Sequence, residues 1–132
     1  MTEWLIPVGH SAALGALELD HVRVPEEQQV DGAPTTGYRT LGSVGAAAES
    51  SGTEGAEVDR GTEVGVWEMS VGAMSDTEVD EVFVVLAGEA TIEFVDEDRT
   101  ITVGTGDFVR LAAGSRTIWT VLAPLRKLYI TL

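Results

Sequence analysis

The sequence predicts an all-β sandwich or barrel, on three observations. Strand-like runs recur about every 10 residues from position 61 onward, each bounded by glycine or an acidic turn. No stretch carries a convincing amphipathic helical period. The connections are too short for crossover helices, so antiparallel pairing is the economical arrangement. A chain of 132 residues fits a single domain with a single core.

Taken in order, Trp4-Leu5-Ile6 with Val8 and Leu14–Leu19 are expected to form two short strands. Pro25 turns the following segment into a loop or an edge strand. Asp31-Gly32 and Thr36-Gly37 are turn signals ahead of a strand at Tyr38–Leu41. Residues 1–44 are thus read as N-terminal strands and extension. Residues 45–60 are read as a flexible Gly/Ala/Ser/Glu loop with too little apolar bulk to pack, with a short Ala-rich helix at 45–50 as an option. Between 61 and 132 the expected strands are Glu63–Ser70, Glu81–Leu86, Glu89–Phe94, Arg99–Val103, Asp107–Leu111, Thr117–Leu122 and Arg126–Leu132. Alternation puts Glu81, Phe83 and Val85 on one face of their strand and Val82, Val84 and Leu86 on the other. That strand therefore reads as buried on both sides and headed by a carboxylate.

Composition excludes several classes of function. With 22 acidic residues against 8 basic ones, the net charge of −14 opposes nucleic acid and anionic membrane surfaces. No cysteine is present, which removes disulfides, thiolate metal sites and a cysteine nucleophile. No run of 18 apolar residues and no signal-peptide pattern is found, so the chain reads as cytoplasmic.

From residue 65 onward the sequence resembles the cupin superfamily. The resemblance is carried by Gly65-Val-Trp-Glu68, Gly72, Asp80-Glu81 with Gly88, Gly106-Asp107, Ala113-Gly114, Trp119 and Arg126-Lys127-Leu-Tyr129. Val30-Asp-Gly32 and Arg39 are weaker echoes. The branch it resembles is cupin_3 (DUF861), with ureidoglycine aminohydrolase-like and EutQ-like proteins. The resemblance implies a cupin-type double-stranded β-helix, a jelly-roll barrel of two antiparallel sheets, and a homodimer. On physical grounds Gly88 permits a tight hairpin after the buried strand, and Gly106-Asp107 suits a turn whose Asp bonds nearby backbone N–H groups. Metal-binding cupins place a His-x-His pair shortly before the glutamate equivalent to Glu81 and a further His at the position of Thr117. Here Met74–Asp80 contains no His, and His10 and His21 lie outside both motifs. An imidazole-rich metal site is therefore not expected, and no cofactor is assigned.

The chemistry that remains is carboxylate chemistry. Glu68 and Glu81 lie among bulky apolar residues, where a carboxyl group can work as a general acid or base. Lys127, the sole lysine, is the natural ion-pair partner within the barrel. Trp67, Phe83, Thr117, Trp119 and Tyr129 are the candidates to line a ligand pocket, or else simply to fill the core. The acidic run Asp76, Glu78, Asp80 and Glu81 offers oxygen ligands for a hard cation, or is merely a solvated loop. Glu93 and Asp96-Glu97-Asp98 read as a hairpin tip, and His10 and His21 as surface residues. The expected function is metal-independent binding of a small polar molecule, with or without acid/base turnover such as isomerisation, dehydration or C–N hydrolysis. The alternatives are a non-catalytic ligand sensor or assembly module, and a carboxylate-ligated metal enzyme.

Overall fold

The computed structural model describes residues 4–45 and 61–132. Nine strands account for most of these residues: β1 (Val22–Arg23), β2 (Gln29–Asp31), β3 (Thr35–Val44), β4 (Thr62–Met69), β5 (Gly72–Thr77), β6 (Glu81–Phe94), β7 (Arg99–Gly104), β8 (Phe108–Leu111) and β9 (Arg116–Thr131). All pairings are antiparallel. Among the described residues no α-helix forms, and no helix is long and apolar enough to cross a membrane.

Two long strands organise the barrel. β9 lies beside β6 along nearly its whole length, from Phe94↔Thr117 to Glu81↔Thr131. On its other side, its first half pairs with β5 and its second half with β4. β6 likewise pairs with β8 through its first half and with β7 through its second. One layer therefore runs β1-β3-β4-β9-β6-β8, and the other β2-β5-β9-β6-β7, with β6 and β9 shared by both. Side chains of both layers meet in one core, with Met69, Phe83, Val85, Leu111 and Leu125 from the first and Ile92, Phe94, Trp119 and Val121 from the second. Each fully buried side chain of this size contributes about 1.5–3 kcal/mol relative to exposure.

The bend lies where the two shared strands touch. Gly88 has φ +96°, and a Cβ there would overlap the carbonyl oxygen of Pro124. The β6–β9 register shifts at Val85/Ala87, Ala87/Glu89 and Glu89/Ala90, which turns the strand without ending it. Pro124 falls between the residues of β9 that pair with β5 and those that pair with β4, where its missing N–H costs no ladder bond.

Several local expectations are corrected. Gly88 does not close a hairpin, because β6 continues through it, and Thr117–Leu122 and Arg126–Leu132 are one strand rather than two. Thr36-Gly37 lies inside β3. Gly37 is small there because Asp20 passes over it, and a Cβ would stand 2.6 Å from the Asp20 carbonyl oxygen. Trp4–Val8 forms no strand, although Leu5 N–H bonds to the Leu41 carbonyl at 2.9 Å, and Leu14–Ala16 is a single 3-10 turn. The second face of β6 is only half-buried at Val82, Val84 and Leu86. β5 carries little strand signal of its own, since Gly72–Thr77 has a single bulky apolar residue, Met74. The Asp107 turn is as expected: its side chain accepts the Gly104 N–H at 2.8 Å. Of the loop read at 45–60 and the helix option at 45–50, residues 46–60 lie outside the described residues.

Candidate functional site in the barrel lumen

Alternation along β4, β6 and β9 decides which side chains enter the lumen. The pairs Trp67↔Lys127, Val85↔Lys127, Phe83↔Tyr129 and Gly65↔Tyr129 align on one face. Gly65 makes this possible, because any side chain there would collide with the Tyr129 ring. Lys127 thus projects from the centre of the sheet into the interior, where its side chain is only 7% exposed.

Its ammonium group donates to Glu81 Oε2 at 2.7 Å. It also stands 4.3 Å from the ring centroid of Phe83, 4.7 Å from that of Trp67 and 4.8 Å from that of Trp119. Three rings and one carboxylate replace the water that a surface lysine would hold. An ammonium carries three N–H groups. Among the described residues Glu81 is its only hydrogen-bond partner.

A second buried carboxylate lies beside this pair. Glu78 Oε2 accepts the Thr117 hydroxyl at 2.6 Å and the Trp119 indole N–H at 2.9 Å. Backbone bonds from Glu78 N–H to the Ser115 carbonyl and from Gly114 N–H to the Glu78 carbonyl hold this residue inward. Asp76, on β5, completes the acidic wall. Burial pushes its carboxyl above the ordinary carboxylate range, and the charge of Glu78 adds to the effect. On the opposite side, Tyr129 donates to Glu63 at 2.7 Å. Burial, followed by that hydrogen bond, raises its phenol above the usual range.

These groups surround a cavity of about 270 Å³. Glu81, Lys127, Trp119 and Trp67 form its depth, Asp76 and Glu78 one wall, and Tyr38 and Val79 its exposed rim. Of the residues singled out in the sequence, Glu81, Lys127, Trp67, Trp119 and Tyr129 line this cavity. Phe83 and Thr117 stand behind it, 1% exposed each, as the cage wall for Lys127 and the support for Glu78.

Glu68, the other candidate carboxylate, does not line this cavity. Trp67 and Met69 point inward, so Glu68 points to the outer face of the sheet. There it bonds Arg126 at 2.6 Å and the ring of His21. Burial alone would raise its pKa, but His21 and Arg126 outweigh burial and hold the carboxyl below its ordinary value. Arg126 also donates to the Leu14 carbonyl at 2.6 Å, and His21 bonds Thr35 Oγ1 at 2.7 Å. The cluster therefore fastens the N-terminal segment to the barrel. His21 is a surface residue, as expected, and also part of this structural clamp.

Asp76 and Glu78 were assigned in the sequence to an acidic run with two readings, and the structure turns Glu78 into the interior, where it is 7% exposed. The available signal was indirect: a buried Trp119 N–H and Thr117 hydroxyl need an acceptor.

The donor set does not fit a divalent transition metal. Glu81 is taken up by an ammonium, Thr117 stands where an imidazole would be needed, and both histidines lie outside the lumen. Among the described residues no group of three or more His, Cys, Asp or Glu could hold a metal ion.

Residues 56–129 match the family model of the EutQ-like cupin domain. No curated protein matches the sequence. Solved structures with this fold include a DUF861-family protein of unknown function from Pseudomonas syringae pv. tomato. It is 18% identical with a TM-score of 0.68, and the match covers 98% of this chain but only 52% of the other, so this chain spans about half its length. The EutQ protein of Clostridium difficile is 18% identical over 99% of this chain and 92% of its own, with a TM-score of 0.62. A cupin superfamily protein from Desulfitobacterium hafniense is 19% identical over 96% and 94%, with a TM-score of 0.56. At these identities the likeness concerns the fold.

Proposed function

The chain belongs to the family of EutQ-like cupin domains, and within that fold we propose that its lumen binds a small polar molecule without a resident metal ion. The observation that carries this reading is the Glu81–Lys127 pair at the bottom of an open cavity. A charged pair this deep is expensive to keep unless the charges have a use, because apolar residues of equal volume are often as stable or more so. Lys127 keeps N–H groups available for a ligand oxygen, and Glu81 is an acceptor beside them. Together they can anchor a polar group, or stabilise an oxyanion while the carboxylate moves a proton.

Binding without turnover, as in a sensor, is favoured by one feature. The 2.7 Å contact commits Glu81 to its partner rather than leaving it free for proton transfer. Chelator-treated protein separates these possibilities when screened by thermal shift and for turnover against small polar metabolites. At least one metabolite is expected to raise Tm with no divalent ion added. If the site is catalytic, Glu81→Gln keeps binding and loses turnover by about two orders of magnitude or more. Binding that appears only on adding a divalent ion would overturn the reading.

A further inference from the structure

We propose that the ligand is a small organic cation whose charged group sits against Asp76 and Glu78, an inference that rests on the lumen being a small-molecule site. Three carboxylates face the cavity, Asp76, Glu78 and Glu81, but only one ammonium does. The ion-pair partner of Lys127 is Glu81. Among the described residues Asp76 and Glu78 have no ion-pair partner at all. The hydroxyl and indole N–H that hold Glu78 fix its direction without cancelling its charge. The Asp76 side chain receives only the N–H of its neighbour Thr77, at 2.9 Å.

Burial and the neighbouring Glu78 disfavour the charged form of Asp76, and a cation arriving on this half-enclosed wall relieves that cost. An opposite charge held beside these carboxylates is attracted more strongly than it would be in bulk water, because the wall is partly shielded from solvent. The partner is organic rather than a bare metal ion because Trp67, Met74, Val79 and Tyr38 make up much of the remaining lining. Aromatic faces and apolar side chains suit a hydrocarbon body bearing an ammonium. The volume lies just under the ~300–1,000 Å³ of drug-sized pockets, so the occupant is of small-metabolite size. With a net charge of −14, the protein's own field draws cations toward the opening.

The test holds shape constant and varies charge. 2-Phenylethylammonium, 2-phenylethanol and phenylacetate are titrated separately into the full chain, and the indole N–H signals of Trp67 and Trp119 are followed by NMR. The ammonium is expected to bind at least about tenfold more tightly than the alcohol, and phenylacetate more weakly than both. Asp76→Asn is expected to reduce the ammonium-to-alcohol ratio by about threefold or more. An alcohol or phenylacetate that binds as tightly as the ammonium leaves the lumen a small-molecule site but overturns the cation assignment. A stronger response to calcium chloride than to the amine overturns its organic character. Silence of both indoles to every probe overturns the lumen reading and this inference with it.

Discussion

Lys127→Met should be the most damaging single substitution in the lumen, costing about 3–5 kcal/mol. Methionine has the length and flexibility to fill the channel between Trp67, Phe83 and Trp119, so packing loss is not the main cost. The cost lies in Glu81, a carboxylate 8% exposed that would lose its one cationic partner. Thr131 and Leu111 flank Glu81 in the sheet, and neither offers a replacement charge. For a domain whose whole stability is about 5–15 kcal/mol, this is a large share. Urea unfolding should show the midpoint falling sharply. Adding Glu81→Leu should restore most of it, because the two charges leave together and apolar substitutes are often neutral or better. A single variant as stable as the parent would mean that the pair is not formed, and failure of the double variant to recover would place the cost in shape rather than charge.

Gly88→Ala is the second. Most exposed glycines tolerate alanine with a modest penalty, even in the left-handed region, where strain costs about 1–3 kcal/mol. Gly106, at φ +92° with nothing near its would-be Cβ, represents that ordinary case. Gly88 has a comparable φ, but its Cβ would meet the backbone of Pro124 and Leu125, which no side-chain rotation can relieve. Because β6 and β9 belong to both layers, separating them there loosens the barrel at its bend. Gly88→Ala should therefore cost at least about 2 kcal/mol more than Gly106→Ala, seen as a lower Tm or loss of soluble protein. Equal costs would show that the strands do not touch as described.

How much of this was legible in the sequence depended on where the information resides. The antiparallel barrel was readable because alternation and glycine spacing are local, and the Lys127–Glu81 pair was suspected because the chain has only one lysine. The joining of Glu81–Leu86 to Glu89–Phe94 was hidden. A glycine that bends a strand and one that ends it look alike until the partner strand is known. Glu68 and Glu81 share apolar sequence surroundings, and only the alternation that turns Trp67 and Met69 inward separates them. Asp76 and Glu78 lay in an acidic run that looked solvated. Only the pairing of β5 with β9 shows that Trp119 and Thr117 reach across to Glu78.

An ammonium group, held by Glu81 and three rings, occupies the middle of the lumen. The direct test of this placement uses the fact that Lys127 is the only lysine: protein labelled with ¹⁵N at lysine side chains has a single ammonium signal. One slowly exchanging NH₃⁺ resonance is expected, moved upfield by the rings of Trp67, Phe83 and Trp119 and returned toward the solvent-exposed position by Glu81→Gln. A signal with ordinary shifts and rapid exchange with water, unchanged by that substitution, would contradict it.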